Sequence, residues 1–322
     1  LARSERRGGP RAVLTRHESG AAFIADGYAR ASGRVGVCCS TTGPGATNLI
    51  TGVASAFAEQ IPMLVITPQT RIADFSRGCF QDSSRDGVDV MGMFEHCTRY
   101  NSMVTHPNQL ENKLAAALTG ALGNPKGPAH LSIPADIFGA ESNGPASFTG
   151  LYSLLTAAEA SVDEAAVDWL GEEVIGVLRR HGGICLLVGH NGGGAGKEII
   201  RFAELAGATI VTTPRGKSVI NPYHYLARGV FGCSGHTSAR RALTDENVEL
   251  VLAVGTNLGE WSTSKWDHAV MNERMVHIHS DRSSFSRSPM ARLHVWGTIG
   301  AIFGRLNDRL EGAQRAGEPV PA

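Results

Sequence analysis

Paired cysteines, long apolar runs and an excess of one charge are all missing from this sequence of 322 residues. The six cysteines are scattered, with no C-x-x-C pair and no zinc-binding spacing, so neither a disulfide framework nor a zinc site is predicted. No apolar stretch approaches the roughly 20 residues that span a bilayer, and no signal-peptide core is visible. We therefore expect no membrane partner and a reducing, cytoplasmic setting.

Charge is balanced, with 30 basic and 30 acidic residues and no long run of either sign. Such a balance gives no reason to expect nucleic acid as a partner. An anionic ligand would have to be held locally, by loops and helix ends.

The length is sufficient for two domains of about 150 residues each. Apolar residues make up 42% of the chain, which is enough for real cores. Around residues 139–160 the composition changes to Ser, Gly, Pro, Thr and Ala, as in an interdomain linker. We predict a first domain at 1–145, a linker at 146–161, a second domain at 162–312 and a tail at 313–322.

Strands and helices alternate in both halves of the chain. Short apolar runs separated by helices predict parallel strands covered on both faces, so the fold class is α/β with two doubly wound, parallel-sheet domains. The predicted strands are 11–15, 35–40, 62–67, 129–134, 184–189, 209–213, 248–255 and 275–280. The predicted helices are 19–31, 46–58, 108–122, 162–180, 195–206 and 238–243, with a short helical segment after the polar stretch 75–89 and a short helix near the end.

The informative block is RHESGAAFIADGYAR at 16–30, followed by VGVCCSTTGPGATN at 35–48. It predicts a carboxylate, Glu18, at the start of one helix and a Gly-Pro-Gly turn between a strand and the next helix. Ligands of open α/β sheets bind beyond the carboxyl ends of strands, where we expect both features. Each feature by itself has an ordinary explanation, Glu18 as a first-turn acid and the glycines as a tight turn.

Together these blocks resemble the pyrimidine-binding domain of thiamine diphosphate enzymes, in particular the acetolactate synthase, glyoxylate carboligase and sulfoacetaldehyde acetyltransferase group. The resemblance extends through LITGVA at 49–54, IPMLVIT at 61–67 and GPAHLSIPAD at 127–136. It implies that Glu18 hydrogen-bonds N1′ of the cofactor's aminopyrimidine and so promotes loss of the thiazolium C2 proton. Because that site should be dry, we predict a raised pKa for Glu18.

The same resemblance assigns the other candidate residues. Gln81, in a Phe-Gln pair, matches a residue that approaches the substrate, and we predict a catalytic role for it beside Glu18; a polar loop residue is the alternative. His17 lies beside the site and is given no role. The predicted cofactor-binding residues are Glu18, Thr41, Gly43, Pro44, Gly45 and Asn48.

The second half, with GATIVTTPRGK at 207–217 and VELVLAVGTNL at 248–258, resembles the Rossmann-like central domain of these enzymes. Some members bind FAD or an adenine nucleotide there. This chain has Pro214-Arg215-Gly216-Lys217 where the flavin-binding members usually have a Met-Gly type sequence, so FAD binding is left open. The Gly-rich loop at 190–194 is not a clean G-x-G-x-x-G, and a tight turn is favoured over a phosphate loop.

The family's third domain, which holds Mg²⁺ and the diphosphate, has no counterpart in the sequence, and the chain opens on Leu1. We therefore expect a fragment or one part of a split enzyme, acting as a homodimer or tetramer or beside a separate subunit that bears the diphosphate-binding domain. The predicted reaction is decarboxylation of a pyruvate-like 2-keto acid and transfer of the acyl carbanion to an acceptor, by a carboligase of the acetolactate synthase type. The alternatives are a 2-keto acid decarboxylase or other 2-oxo lyase, a non-catalytic accessory subunit, and a nucleotide-binding module.

Overall fold

The computed structural model describes residues 6, 8–140, 150 and 161–317, and the chain separates into two compact units, 1–157 and 158–322. The predicted linker at 146–161 lies almost entirely outside the described residues, and the domain boundaries stay a prediction. The described residues contain no helix that is long and apolar enough to cross a membrane. The six cysteines are free, and Cys38, Cys39 and Cys185 lie in strands as the sequence predicts.

The first unit contains a four-stranded parallel sheet in the order β1-β2-β4-β3. The central pair is in register from Met63 opposite Pro128 to Gln69 opposite Pro134. The elements of this unit, in chain order, are α1 (Glu18–Ser32), β1 (Gly36–Cys39), α2 (Pro44–Ala58), β2 (Met63–Gln69), α3 (Val90–Glu95), β3 (Tyr100–Met103), α4 (Leu110–Leu122), β4 (Pro128–Pro134) and α5 (Ala135–Phe138).

Both faces of this sheet are covered, which explains the apolar run at 63–66 in the first half of β2. Met63 and Val65 pack with α1 and α2 in one core cluster, whereas Leu64 packs with α4 in another. Successive side chains of a strand point to opposite faces, so a strand buried on both sides is apolar over successive positions, as at 63–66.

The second unit contains a six-stranded parallel sheet in the order β10-β9-β8-β5-β6-β7. In this doubly wound order, successive strands are added first on one side of β5 and then, from β8 onward, on its other side. The strand order therefore reverses between the adjacent strands β5 and β8. The elements of this unit are α6 (Glu164–Arg179), β5 (Gly183–Val188), α7 (Gly196–Ala206), β6 (Thr209–Thr212), β7 (Ala227–Val230), α8 (Thr237–Leu243), β8 (Val248–Val254), β9 (Met275–His279), β10 (Leu293–Trp296) and α9 (Ile299–Arg315). The predicted α/β class with parallel sheets is confirmed.

Two sequence predictions are wrong in detail. Residues 11–15 form no strand, because Leu14 is 99% and Val13 62% exposed and no described strand pairs with this segment. The last helix is not short: α9 has 17 residues and packs against α6 and α7 through an apolar face that includes Phe303 and Leu306. It begins at Ile299 and ends at Arg315.

Candidate active site

Glu18 is the first residue of α1, where its carboxylate is held at the helix N-terminus. The N-cap is His17, whose imidazole accepts a hydrogen bond from the Ser19 N–H. At the other end, Gly33 closes the helix in the left-handed conformation, with φ 70°. A first-turn carboxylate is favoured by the free N–H groups and the dipole of the helix. The local sequence thus fixes the direction in which Glu18 leaves the backbone.

The Gly-Pro-Gly turn follows β1 and opens α2. Gly43 has φ 60° and ψ −120°, a backbone conformation that only glycine adopts without strain. Pro44 takes the first helical position, where its missing N–H is not needed. The Gly43 carbonyl accepts the N–H groups of Ala46 and Thr47 at 3.0 and 3.1 Å. The turn therefore lies beyond the carboxyl end of a parallel strand, where the sequence places it.

Asn48 links the starts of the two helices. Its Nδ2 donates to Glu18 Oε2 at 3.1 Å, and its carbonyl oxygen accepts from Ser19 Oγ at 3.0 Å. One turn further along α2, a Cβ on Gly52 would come within 2.5 Å of Ala22 Cβ. The helices approach this closely because Gly52 has no side chain. Their close packing brings the Glu18 carboxylate to the Gly-Pro-Gly turn.

Gly45 lets the Thr41 side chain and the Glu18 carboxylate lie close to the backbone of the turn. A Cβ at this position would lie 3.4 Å from Glu18 Oε1 and 2.6 Å from Thr41 Cγ2. One carboxylate oxygen of Glu18 is therefore bonded to Asn48, and the other lies beside backbone that carries no side chain. Such an arrangement suits a flat ring with a nitrogen that shares a proton with a carboxylate, so these residues fit an aminopyrimidine.

Gln81 reaches the same turn from a distant loop. A Cβ on Gly43 would lie 2.8 Å from Gln81 Cβ, so the loop passes directly over the glycine. The Thr42 hydroxyl donates to the Gln81 carbonyl oxygen at 3.3 Å. Gln81 has a left-handed backbone, φ 55°, which is uncommon for a residue with a side chain. Its neighbour Phe80 is 91% exposed.

The prediction of a raised pKa for Glu18 is wrong for this chain. Its own backbone N–H, and then the Asn48 amide, hold the pKa of the Glu18 carboxyl below its usual value, while desolvation acts weakly in the other direction. The dry environment assumed from the sequence is missing because the carboxyl is only half-buried at the helix start. Hydrogen bonds to the charged form therefore prevail.

The structure brings all the candidate residues of the first unit to one place, and it distinguishes their surroundings. Asn48 uses its amide on Glu18, so it positions the carboxylate. Thr41 and Pro44 are exposed beside the turn, whereas Gly43 and Gly45 are buried. Sequence reasoning missed Ser83, whose hydroxyl contacts the turn. A serine in a polar stretch carries no pattern that would have identified it.

In the second unit, the Gly-rich loop is tightly packed. It forms a 3-10 helix, His190–Ala195, between β5 and α7. A Cβ on Gly189 would lie 2.3 Å from the Gly255 carbonyl oxygen, and one on Gly255 would lie 2.5 Å from the Gly192 nitrogen. These glycines allow the ends of β5 and β8 to approach each other, as in the tight turn that the sequence favours. FAD binding stays a prediction.

A metal site would require several ligands close together. No group of three His, Cys, Asp or Glu side chains in the described ranges is arranged to hold an ion.

Comparison with known families agrees with this architecture in both units. Residues 1–91 match the N-terminal TPP binding domain of thiamine pyrophosphate enzymes, and residues 172–306 match the central domain of the same enzymes. A carboxylate at a Gly-Pro-Gly turn lies in the first match, and the doubly wound sheet lies in the second. The chain belongs to the thiamine pyrophosphate enzyme family.

Several relatives of the chain within the family are named as acetolactate synthase large subunits. It is 33% identical over 316 residues to a candidate acetolactate synthase large subunit of Mycobacterium tuberculosis, covering 95% of this chain and 56% of that protein. It is 31% identical to the acetolactate synthase large subunit of Corynebacterium glutamicum, covering 96% and 48%. The chain spans about half the length of the curated relatives it matches.

A solved structure of a candidate thiamin diphosphate-dependent enzyme from Mycobacterium smegmatis has the same fold. The TM-score is 0.73 at 19% identity, over 92% of this chain and 55% of that one.

Proposed function

We propose that this chain supplies the aminopyrimidine-binding half of an active site that decarboxylates a pyruvate-like 2-keto acid and transfers the resulting acyl carbanion to an acceptor. The observation that carries the proposal is the Glu18 carboxylate beside Gly45, with one oxygen held by Asn48. When bound, thiamine diphosphate supplies the nucleophilic carbon and accepts the electrons left by decarboxylation.

The chain's own residues would bind and orient the ring. Oε1 of Glu18 would hold a proton shared with the pyrimidine N1′, and the Asn48 amide would keep Oε2 in place. Gly45 would let the flat ring approach the backbone. Desolvation is the one influence on Glu18 that acts to raise its pKa. A ring that covers Oε1 and excludes water would strengthen that influence and shift the carboxyl toward the protonated form.

Diphosphate and Mg²⁺ belong to a different part of the proposed assembly. We assign them to another domain or another subunit, and the site would then form between chains of a homodimer or tetramer.

Glu18→Gln tests the role of the carboxylate in the full-length protein. Gln keeps the side-chain size but cannot take up a proton, so we expect a normal fold. Thiamine diphosphate-dependent turnover of pyruvate should fall by about 10²- to 10⁴-fold. The matched control is Glu95→Gln, at the exposed end of α3, which should retain activity. Exchange of the cofactor C2 proton, followed by NMR, is the direct readout. Exchange at the parental rate in Glu18→Gln would remove Glu18 from the mechanism.

Products formed from pyruvate separate the proposed carboligase from its nearest alternative. A carboligase yields an acetolactate-type product, whereas a plain decarboxylase or lyase releases the aldehyde or another cleavage product. An accessory subunit would show neither product and would tolerate Glu18→Gln.

A further inference from the structure

The loop that carries Gln81 is attached to the Gly-Pro-Gly turn by one buried residue, Ser83, which is 1% exposed. Ser83 Oγ accepts the Gly43 N–H at 2.7 Å and forms a short hydrogen bond with the Thr42 hydroxyl. The backbone of Ser83 is held as well. Its N–H donates to Thr70 Oγ1 at 3.2 Å.

The Ser83 carbonyl oxygen accepts from Gln69 Nε2 at 2.8 Å. Gln69 is the last residue of β2 and is itself buried, so Ser83 connects the end of a central strand with the turn after β1. The hydroxyl, the N–H and the carbonyl oxygen of Ser83 each take part in a hydrogen bond. A buried residue in this state specifies one loop position, because any displacement leaves several polar groups unpaired.

The two hydroxyls also act on Gln81. The Gln81 carbonyl oxygen lies 3.3 Å from both Thr42 Oγ1 and Ser83 Oγ. Whichever hydroxyl donates to the other, the remaining O–H has this carbonyl oxygen as its acceptor. The pair therefore holds Gln81 at a left-handed φ of 55°, a conformation that persists only where its surroundings enforce it.

We infer that Ser83 is a positioning residue for the active site: its hydroxyl holds the backbone of Gln81 against Gly43 and so sets where the Gln81 side chain leaves the loop at the Gly-Pro-Gly turn. This inference rests on the proposed function, in which Gln81 approaches the substrate. Ser83 itself is buried under the loop and acts through Gln81.

The first arm of the test needs neither cofactor nor substrate. In Ser83→Ala, we expect hydrogen exchange of the amides around 79–84 and of Gly43 to become about tenfold faster, because the acceptor of the Gly43 N–H is lost. The matched control is Ser84→Ala. Ser84 is also buried, and among the described residues its hydroxyl makes no hydrogen bond to the Gly-Pro-Gly turn. If hydrogen exchange of these amides were unchanged in Ser83→Ala, the Ser83 hydroxyl would not hold the loop at Gly43, and the inference would be overturned.

The second arm separates positioning from a general loss of stability. Ser83→Ala and Gln81→Ala are combined in a double-mutant cycle and turnover is measured in the full-length protein. If Ser83 acts through Gln81, its substitution lowers kcat about tenfold in the parent but less than twofold in the Gln81→Ala background. An equal loss in both backgrounds would show a merely structural role and overturn the inference. Thr42→Ser, which keeps the second hydroxyl, should behave as the parent does, while Thr42→Val should reproduce the loss.

The two proposals fail in distinguishable ways. If the full-length protein showed no thiamine diphosphate-dependent turnover, the proposed function would be refuted, and so would a role of Ser83 in catalysis. The exchange result would then still decide whether Ser83 pins the loop.

Discussion

Acid should destabilise the first unit through one buried histidine, His130 in β4. His130 is fully buried and stacked on Phe94, with ring centroids 4.1 Å apart. Asn101 donates its amide to the Met91 carbonyl, so its Oδ1 is the acceptor of the His130 Nδ1–H at 2.7 Å. His130 Nε2 then accepts the Thr67 hydroxyl at 2.8 Å. Both ring nitrogens are therefore satisfied in the neutral form, and burial opposes the charged form.

The size of the effect follows from the pKa. Burial lowers the pKa of His130 from 6.5 to about 3. Because the folded value is depressed, stability is fully present above 6.5 and is lost as the pH falls toward 3, where the folded form also takes up the proton. At about 1.4 kcal/mol per pH unit, lowering the pH from 7.5 to 5.0 costs about 2 kcal/mol at this site.

The assay compares the parent with His130→Asn by urea unfolding at both pH values, followed by circular dichroism. The variant should be less stable by about 2–4 kcal/mol at pH 7.5, since it loses packing and leaves the Thr67 hydroxyl without its acceptor. That difference should shrink by about 2 kcal/mol at pH 5.0. His96→Asn, at an exposed position, should retain the parental pH dependence. If the His130 imidazole itself titrated between pH 7.5 and 5.0 in an NMR titration of the folded protein, the reasoning would be refuted.

Two further predictions follow from buried groups and from the turn. Burial lowers the pKa of His277 to about 3 and that of His279 to about 4, so the second unit should lose about 4 kcal/mol between pH 7.5 and 5.0. Urea unfolding of that unit measures the loss, and a loss no larger than that of the first unit would contradict it. Gly43→Ala should cost about 1–3 kcal/mol of stability and displace the Gln81 loop, because it combines a glycine-only backbone with a Cβ contact of 2.8 Å. The control is Gly78→Ala, because Gly78 also has a positive φ, 69°, but nothing lies within 4 Å of its Cβ position. Equal hydrogen exchange of the Gln81 loop amides in the two variants would contradict a role for the Cβ contact with Gln81.

The strands that sequence reasoning missed share one position in the fold. β3, β7 and β10 are all edge strands, and each is half-buried over most of its length. These three strands have one neighbour and partial cover, and their sequences lack the continuous apolar run that identifies β2, β5 or β8. The edge strand β1 keeps such a run at 37–39 and was predicted. The helices that flank the site were located within a residue or two, because their ends carry local signals: Gly33 at a C-cap and the Gly-Pro-Gly turn before the second helix.

The sequence alone determined the family resemblance, the α/β class and the presence of a carboxylate and a Gly-Pro-Gly turn at two helix starts. These are properties of short, contiguous segments, in which capping, turn and periodicity signals act over a few residues.

Only the tertiary structure decided what those groups contact. Asn48 reaches Glu18 across 30 residues and Ser83 reaches Gly43 across 40, and both contacts depend on how α1, α2 and the ends of β1 and β2 pack. In the folded chain Glu18 stays half-exposed, and its own backbone N–H, then the Asn48 amide, lower its pKa, against the expectation from the sequence. Burial and non-local hydrogen bonds are sums over neighbours that no single segment specifies.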